Sequence, residues 1–596
     1  MKLFLEENAL WKKRATAPKI IRFHVARNNS SVAVIEANID GVVRTYLLNM
    51  KTGHLNAIQN LDKDYYSILS PDGLFLHFHK DIKGNQHGHR YRMSTNGGEI
   101  EDLTPELPDY YAYRIEFSDD SKRCVFPAYF DDETILYGLF FDNKGGLVDR
   151  KVLFKTKGDL GRVKISRDGS FVAITSPKNN GDDETKLLIL STDTGNEYKY
   201  LKFDCETSAY AHLSIPCSSK LVVSTEDGDY KKLYLWDYEN DALKEIFANI
   251  DSEIRIVDVS KDGKKLLIQT SSQARDGHIV YKLEDDSFLS LDSLDGVSSY
   301  SYILEDEVLL LNSSSQHKSR ILSYDLDTGR FKRVLLDLPG SIPASHAKDV
   351  RFIGARGDKV QGWLRIPDGK GPFPTIIELP GGPSCAYSYY ESDVFLDHGF
   401  AKLTINYHGS SSFGHDFQKS IIGRVGELEL EDMVAARSWL IEQGISNSHQ
   451  IFLMGGSYGG YLTLWGLVKR PDLWKAGLAR VPIADFATAY EDENGSLKIF
   501  DNCLFGGSLY DKPELYRQSS PITYIEHLNA PLQIIAGKND TRCPRRQIEL
   551  FIEKGRKLGK DIEAYWYDEG HSSNSINEQI HQVELRLKFL KRVMDR

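Results

Sequence analysis

A small polar residue, an Asp/Gly-type turn and a short β-rich stretch recur at a nearly fixed interval through the first half of this 596-residue chain. The clearest copies are Ser70-Pro71-Asp72-Gly73, Ser118-Asp119-Asp120-Ser121, Ser166-Arg167-Asp168-Gly169 and Ser260-Lys261-Asp262-Gly263. The steps are 48 residues from Ser70 to Ser118, 48 to Ser166, 48 to a weaker copy at Ser214 and 46 to Ser260. Steps of 44 outward at either end reach Ala26-Arg27-Asn28-Asn29 and Leu304-Glu305-Asp306-Glu307, which makes seven copies. A second turn signal trails several of them, as in Lys51-Thr52-Gly53, Asn96-Gly97-Gly98, Asp193-Thr194-Gly195 and Asp327-Thr328-Gly329. Two turns per unit leave room for about four short strands. Four-stranded units at constant period are the pattern of a β-propeller, whose closed ring removes exposed sheet edges. A β-sandwich or a run of unrelated hairpins is the alternative, but neither has a reason to hold the period over seven copies. The expectation is a seven-bladed propeller over 20–338, which by itself specifies no function.

From about Ala347 the texture changes. Thr375–Leu379, Ala401–Ile405, Ile451–Met454 and Leu532–Ala536 are short apolar runs that read as buried strands. Between them, Glu427 to Gln443 spaces Met433, Ala436 and Leu440 along one side of a helix. This alternation predicts a mostly parallel, doubly wound α/β sheet over 339–596. The 451–454 strand runs into Gly455-Gly456-Ser457-Tyr458-Gly459-Gly460 and then a helical stretch. That is the strand-turn-helix context of a nucleophile elbow in an α/β-hydrolase fold, with glycines flanking a serine that the turn pushes outward.

A serine hydroxyl needs a histidine to take its proton and a carboxylate to orient that histidine, in the chain order Ser, acid, His. Of the later histidines, His527 and His581 lie in helix-like surroundings. His571 lies in Asp568-Glu569-Gly570-His571-Ser572, a loop after the strand-like Ala564–Tyr567. Asp540, in the loop after 532–536, is the favoured acid; Asp568 is its rival but stands only three residues from His571. The oxyanion donors are expected at the backbone N–H of Tyr458 and in Leu379-Pro380-Gly381-Gly382-Pro383, at Gly382 ahead of Gly381, because proline has no N–H.

Composition removes other classes. A net charge of -11 argues against a nucleic-acid partner, which requires a positive face. No apolar run approaches the roughly 18–20 residues of a membrane span. Met1 to Ala15 lacks the features of a signal peptide, so the expected location is the cytoplasm. The cysteines at 124, 205, 217, 385, 503 and 543 form no Cys-x-x-Cys pair and are expected as reduced thiols. His77, His79, His87 and His89 lack acidic ligand spacing, so no metal site and no cofactor are expected. Asp432, in the 427–443 helix, is expected to be structural rather than catalytic. Nothing in the sequence opposes assembly as a homo-oligomer.

Taken together, Gly382-Pro383, Asn406-Tyr407-His408-Gly409-Ser410 with Phe413-Gly414, the 455–460 elbow, Asn539-Asp540-Thr541-Arg542-Cys543-Pro544 and Glu569-Gly570-His571 resemble the prolyl oligopeptidase family (serine peptidase family S9), in particular its acylaminoacyl-peptidase-like branch. The resemblance implies a propeller followed by a peptidase domain and cleavage of short peptides. It also implies an N-terminal segment, 1–19, with a helix near Leu3–Trp11 docking on the hydrolase domain. Arg542 matches a position that the family associates with substrate binding; a structural ion pair is the competing reading. Pro380 and His408 depart from it, since many relatives carry His or Tyr at the first and Arg at the second. A side-chain oxyanion contribution or loop anchor at 380 is therefore not implied, and a loop salt bridge at 408 is left open. An esterase or amidase acting on a small natural product would use the same triad, and an inactive propeller binding module is the reading from another class.

Overall fold

The computed structural model describes every residue except 1–2, 60, 62–66, 113, 131–132, 158–159, 177–185, 202–208, 226–228, 249, 341 and 388–393. The chain divides into two compact units. One comprises Pro18–Ile82 and Gln86–Gly340; the other comprises Met1–Ala17, Lys83–Asn85 and Ser341–Arg596.

The first unit is the expected propeller. Its described strands group into seven blades over 19–57, 68–102, 116–156, 164–201, 209–246, 253–290 and 297–337. The repeated phrase is the turn between the first two strands of a blade, and one set of hydrogen bonds explains its spelling. The serine hydroxyl donates to the aspartate two residues on: Ser70 to Asp72 (2.5 Å), Ser118 to Asp120 (2.7 Å), Ser166 to Asp168 (2.6 Å) and Ser260 to Asp262 (2.5 Å). The same hydroxyl accepts the backbone N–H five residues on, from Phe75, Arg123, Phe171 and Lys265. The turn's last position has φ of +77° at Gly73 and +75° at Gly169, a region that favours glycine. The trailing signals at Gly53, Gly97, Gly195 and Gly329 fall between third and fourth strands. Phe23, Ile35 and Leu48 of the first blade share a core with Leu309, Leu311 and Ile321 of the last, which closes the ring. One feature was not readable in the repeat: the second and third blades join into a single nine-stranded sheet, because Tyr110–Tyr111 pairs with strands of both.

The second unit is built on an eight-stranded sheet. Its strands are β1 (Lys348–Ile353), β2 (Lys359–Arg365), β3 (Phe373–Leu379), β4 (Ala401–Asn406), β5 (Ser446–Gly456), β6 (Ala476–Arg480), β7 (Leu532–Gly537) and β8 (Ile562–Tyr567). They lie in the order β1-β2-β4-β3-β5-β6-β7-β8; β1, β2 and β4 pair antiparallel, and β4 through to β8 pair parallel. Successive side chains alternate between two cores, as strand geometry demands. Ile377, Leu453 and Ala479 face the helices α3 (Glu427–Glu442) and α4 (Tyr458–Lys469), which follow the short α2 (His415–Lys419), whereas Ile376, Phe452 and Leu478 face α9 (Ile576–Met594), which follows α7 (Pro513–Gln518) and α8 (Arg545–Lys557). Met433, Ala436 and Leu440 of α3 are fully buried, as their spacing predicts. The N-terminal helix α1 spans Leu10–Thr16 rather than Leu3–Trp11. Leu3, Phe4 and Leu5 precede it and pack with Trp11 on the α9 side, where the Trp11 indole N–H donates to the Phe4 carbonyl (2.6 Å). The five described cysteines form no disulfide with one another, and Cys205 lies outside the described residues. Among the described residues no helix is long and apolar enough to cross a membrane.

Candidate active site

In a parallel α/β sheet the loops beyond the carboxyl ends of the strands form the natural crevice for chemistry. Every expected site residue of this unit follows such an end: Pro380–Gly382 after β3, Ser457 after β5, Asp540 after β7 and His571 after β8. Ser457 joins β5 to α4 with φ 58° and ψ -124°, a strained conformation for a residue with a Cβ. The strain is locked by close packing. A Cβ on Gly459 would stand 1.9 Å from the Leu379 carbonyl oxygen, so the first turn of α4 reaches β3 only because that position is glycine. The backbone N–H of Ser457 donates to Arg480 (2.9 Å), tying the elbow to the end of β6.

Asp540 accepts the His571 Nδ1 hydrogen at 2.8 Å. The carboxylate is acceptor-only, so Nδ1 carries the proton and Nε2 is left with its lone pair. The second oxygen of Asp540 accepts the backbone N–H groups of Arg542 (2.8 Å) and Cys543 (3.0 Å), which fixes the carboxylate plane. Asp568, the rival acid, has a side chain 62% exposed to solvent, against 1% for Asp540. Cys543, which sequence reasoning quoted in a motif but gave no part, is buried with Sγ 4.0 Å from Ser457 Oγ. Its thiol is pushed well up by burial and by the neighbouring Asp540. Ligand atoms of Asp540, Cys543 and His571 all lie within 4.8 Å of one another. A soft divalent ion such as zinc suits that O, S, N set, at the cost of the Asp540–His571 hydrogen bond.

The Gly381–Gly382 loop lies on the elbow: a Cβ on Gly381 would meet Gly456 O at 3.0 Å and Ser457 Cβ at 3.3 Å. The loop is held from behind by the Tyr407 hydroxyl, which donates to the Pro380 carbonyl (2.6 Å). Tyr458 is the first residue of α4, where a backbone N–H has no acceptor inside a helix. Its hydroxyl donates to Glu429 Oε1 (2.6 Å), and burial pushes that carboxyl up to about 7. Sequence reasoning missed Glu429, whose place behind the elbow depends on how α3 packs.

His408, where the resemblance left a salt bridge open, is fully buried and paired twice. Nδ1 meets Asp432 Oδ2 at 2.7 Å and Nε2 meets Asp358 Oδ2 at 3.1 Å. Asp432 also accepts the backbone N–H groups of His408 and Ala355, both at 2.7 Å, and is the structural residue that the sequence suggested. Burial opposes charge on His408, but the two carboxylates outweigh it and raise its pKa. Arg542 is exposed, and its backbone rather than its guanidinium serves Asp540.

Residues 386–596 match the model of the prolyl oligopeptidase family. Among curated proteins, the chain is 25% identical over 255 residues to an uncharacterized peptidase, YuxL, of Bacillus subtilis, which covers 42% of this chain and 38% of that one. It is 31% identical over 207 residues to acylamino-acid-releasing enzyme 1 of Oryza sativa, covering 33% and 27% respectively. The chain thus spans about a quarter to two fifths of the curated relatives it matches. Solved structures extend the likeness in fold to nearly the whole chain. The Pyrococcus horikoshii acylaminoacyl peptidase aligns with a TM-score of 0.75 at 18% identity, covering 98% of this chain and 97% of that one. A puromycin-hydrolyzing peptidase of Mycobacterium tuberculosis aligns with a TM-score of 0.82 at 17% identity, covering 98% and 95%. With its elbow, acid and histidine set on an eight-stranded α/β sheet, the chain is similar over residues 386–596 to the prolyl oligopeptidase family.

Proposed function

We propose that the protein is a serine peptidase that hydrolyses short peptides, as an oligopeptidase or in the manner of an acylaminoacyl or exopeptidase, through an acyl-enzyme on Ser457. Ser457 Oγ attacks the scissile carbonyl while His571 Nε2 takes its proton, and Asp540 stabilises the resulting imidazolium. The backbone N–H groups of Tyr458 and Gly382 receive the oxyanion. His571 then returns the proton to the leaving amine, and water repeats the sequence to release the acid. Arg542, exposed beside the acid, is assigned to substrate contact. The absence of a disulfide among the five described cysteines favours a reducing compartment and hence the cytoplasm.

The observation that carries this reading is the strained Ser457 beside a loop in which Asp540 fixes the tautomer of His571. The test is labelling with a fluorophosphonate probe, followed by a mixed library of peptides, acyl-peptides, esters and small amides. Labelling that vanishes in Ser457→Ala, with peptide cleavage, is expected. Absence of labelling would identify an inactive binding module, and labelling with turnover of esters or small amides alone would identify an esterase or amidase.

A further inference from the structure

Close to the nucleophile lies a buried pair of carboxylates for which the catalytic chemistry has no use. Helices α5 (Phe486–Asp492) and α6 (Gly495–Phe505) are joined by Glu493 and Asn494. The backbone N–H of Asn494 donates to the Thr541 carbonyl (3.3 Å), so this junction is tied to the residue next to Asp540. Glu493 is only 7% exposed, and its Oε1 has no hydrogen-bond partner among the described residues. Asp501, one and a half turns into α6, is 5% exposed. Burial, followed by repulsion from Asp501, pushes Glu493 up, and Lys498 opposes the shift by less than either. Glu493 in turn contributes to the field at Cys543, whose sulfur is 4.0 Å from Ser457 Oγ.

Burying two carboxylates that repel each other, one with an unpartnered oxygen, is costly, and a structure that keeps them ordinarily supplies a cation. The charges of both acids reach Tyr490 and Tyr516, and Tyr490 and Phe505 both pack on Tyr516, at 5.6 and 3.9 Å between ring centroids, while Phe500 is exposed on α6. Apolar walls ending in acid suit a long aliphatic stem with a charged head, which is the shape of a lysine or arginine side chain. In an acyl-transfer reaction, the side chain of the residue that contributes the scissile carbonyl starts two bonds from the carbon that Ser457 Oγ attacks, and Cys543, 4.0 Å from that Oγ, lies within the field of Glu493.

We propose that Glu493 and Asp501 determine specificity by receiving the cationic side chain, Lys or Arg, of the residue that contributes the scissile carbonyl. The inference rests on the peptidase reading above. The test compares kcat/KM of the full chain on one peptide amide series that differs only in that residue: Arg, Lys, the neutral arginine isostere citrulline, Leu and Phe. Arg and Lys should exceed citrulline and Leu by at least about tenfold, because a site built around polar groups rejects an analogue that leaves them unpaired. Glu493→Gln and Asp501→Asn, which preserve volume, should each lower the Arg-to-citrulline ratio several-fold. Cleavage in which Leu or Phe equals or exceeds Arg and Lys overturns the inference and leaves the peptidase reading standing. An Arg-to-citrulline ratio unchanged in both variants does the same. If a variant fails to fold, the wild-type ratio alone decides. No cleavage of any member of the series removes the peptidase reading and the inference with it.

Discussion

Replacing Asp432 by Asn tests whether the buried His408 pair holds the catalytic unit together. Asp432 is fully buried and accepts three hydrogens, from the backbone N–H groups of Ala355 and His408 and from His408 Nδ1. The amide is isosteric, but it offers one acceptor oxygen where the carboxylate offered two. One buried N–H must then face an NH2 group, at about 1–3 kcal/mol. His408 also loses its fully buried counter-charge and keeps only Asp358, whose side chain is 47% exposed. Breaking a buried pair by removing one partner costs about 3–5 kcal/mol, and that range includes the orphaned donor. For a unit of this size about 2–4 °C are lost per kcal/mol, so the melting transition of the catalytic unit should fall by on the order of 10 °C. Differential scanning calorimetry is the suitable assay, because two units need not unfold in one transition.

The pH dependence gives a second readout. A histidine whose folded pKa is raised contributes stability that is fully present below its unfolded value, about 6.5, and is lost as pH rises through the folded value. The wild-type protein should therefore exceed Asp432→Asn by more at pH 6 than at pH 9. A drop of less than about 2 °C at pH 6 would refute the reasoning, as would a difference that does not change between pH 6 and 9.

Three further outcomes are expected. Ser457→Ala and His571→Ala should each lower peptide turnover by several orders of magnitude without moving the melting transition, since triad members act as a unit; near-normal turnover in either purified variant contradicts the assignment. Asp540→Asn should reduce kcat by on the order of a thousandfold or more, because an amide can hold His571 in the wrong tautomer, whereas the exposed Asp568→Asn should stay near wild type. A reversed ranking in steady-state assays would give Asp568 the role. Gly459→Ala should yield a protein that is destabilised and unreactive towards a fluorophosphonate, because its Cβ would meet the Leu379 carbonyl oxygen at 1.9 Å and the elbow cannot close on β3; normal labelling would show that the turn has room to relax.

What the sequence disclosed and what it withheld divide along a physical line. The blades were legible because one short hydrogen-bond pattern, Ser to Asp and backbone N–H to Ser, recurs within six residues and dictates its own spelling. The copy at Ser214 is weak for the same reason: Cys217 stands where the others have glycine or serine and still takes φ +53°. The elbow, Asp540 and His571 were legible because each lies in a loop that follows a strand, a local relation. The bridge at Tyr110–Tyr111, Glu429 behind Tyr458 and the Glu493–Asp501 pair are relations between elements that only tertiary packing creates.

The same division bears on chemistry. The proposed triad residues answer to what acyl transfer requires of any substrate, so their types and order can be anticipated from mechanism alone. Glu493 and Asp501 are set by the identity of one substrate side chain, and acidic residues at a helix junction ordinarily read as a solvated surface. Only their burial, with an unpartnered oxygen on Glu493 and the tie from Asn494 to the acid loop, distinguishes them from that default. Substrate choice in this chain is therefore expected to follow charge at α5–α6, where mutation should redirect specificity without touching the machinery around Ser457.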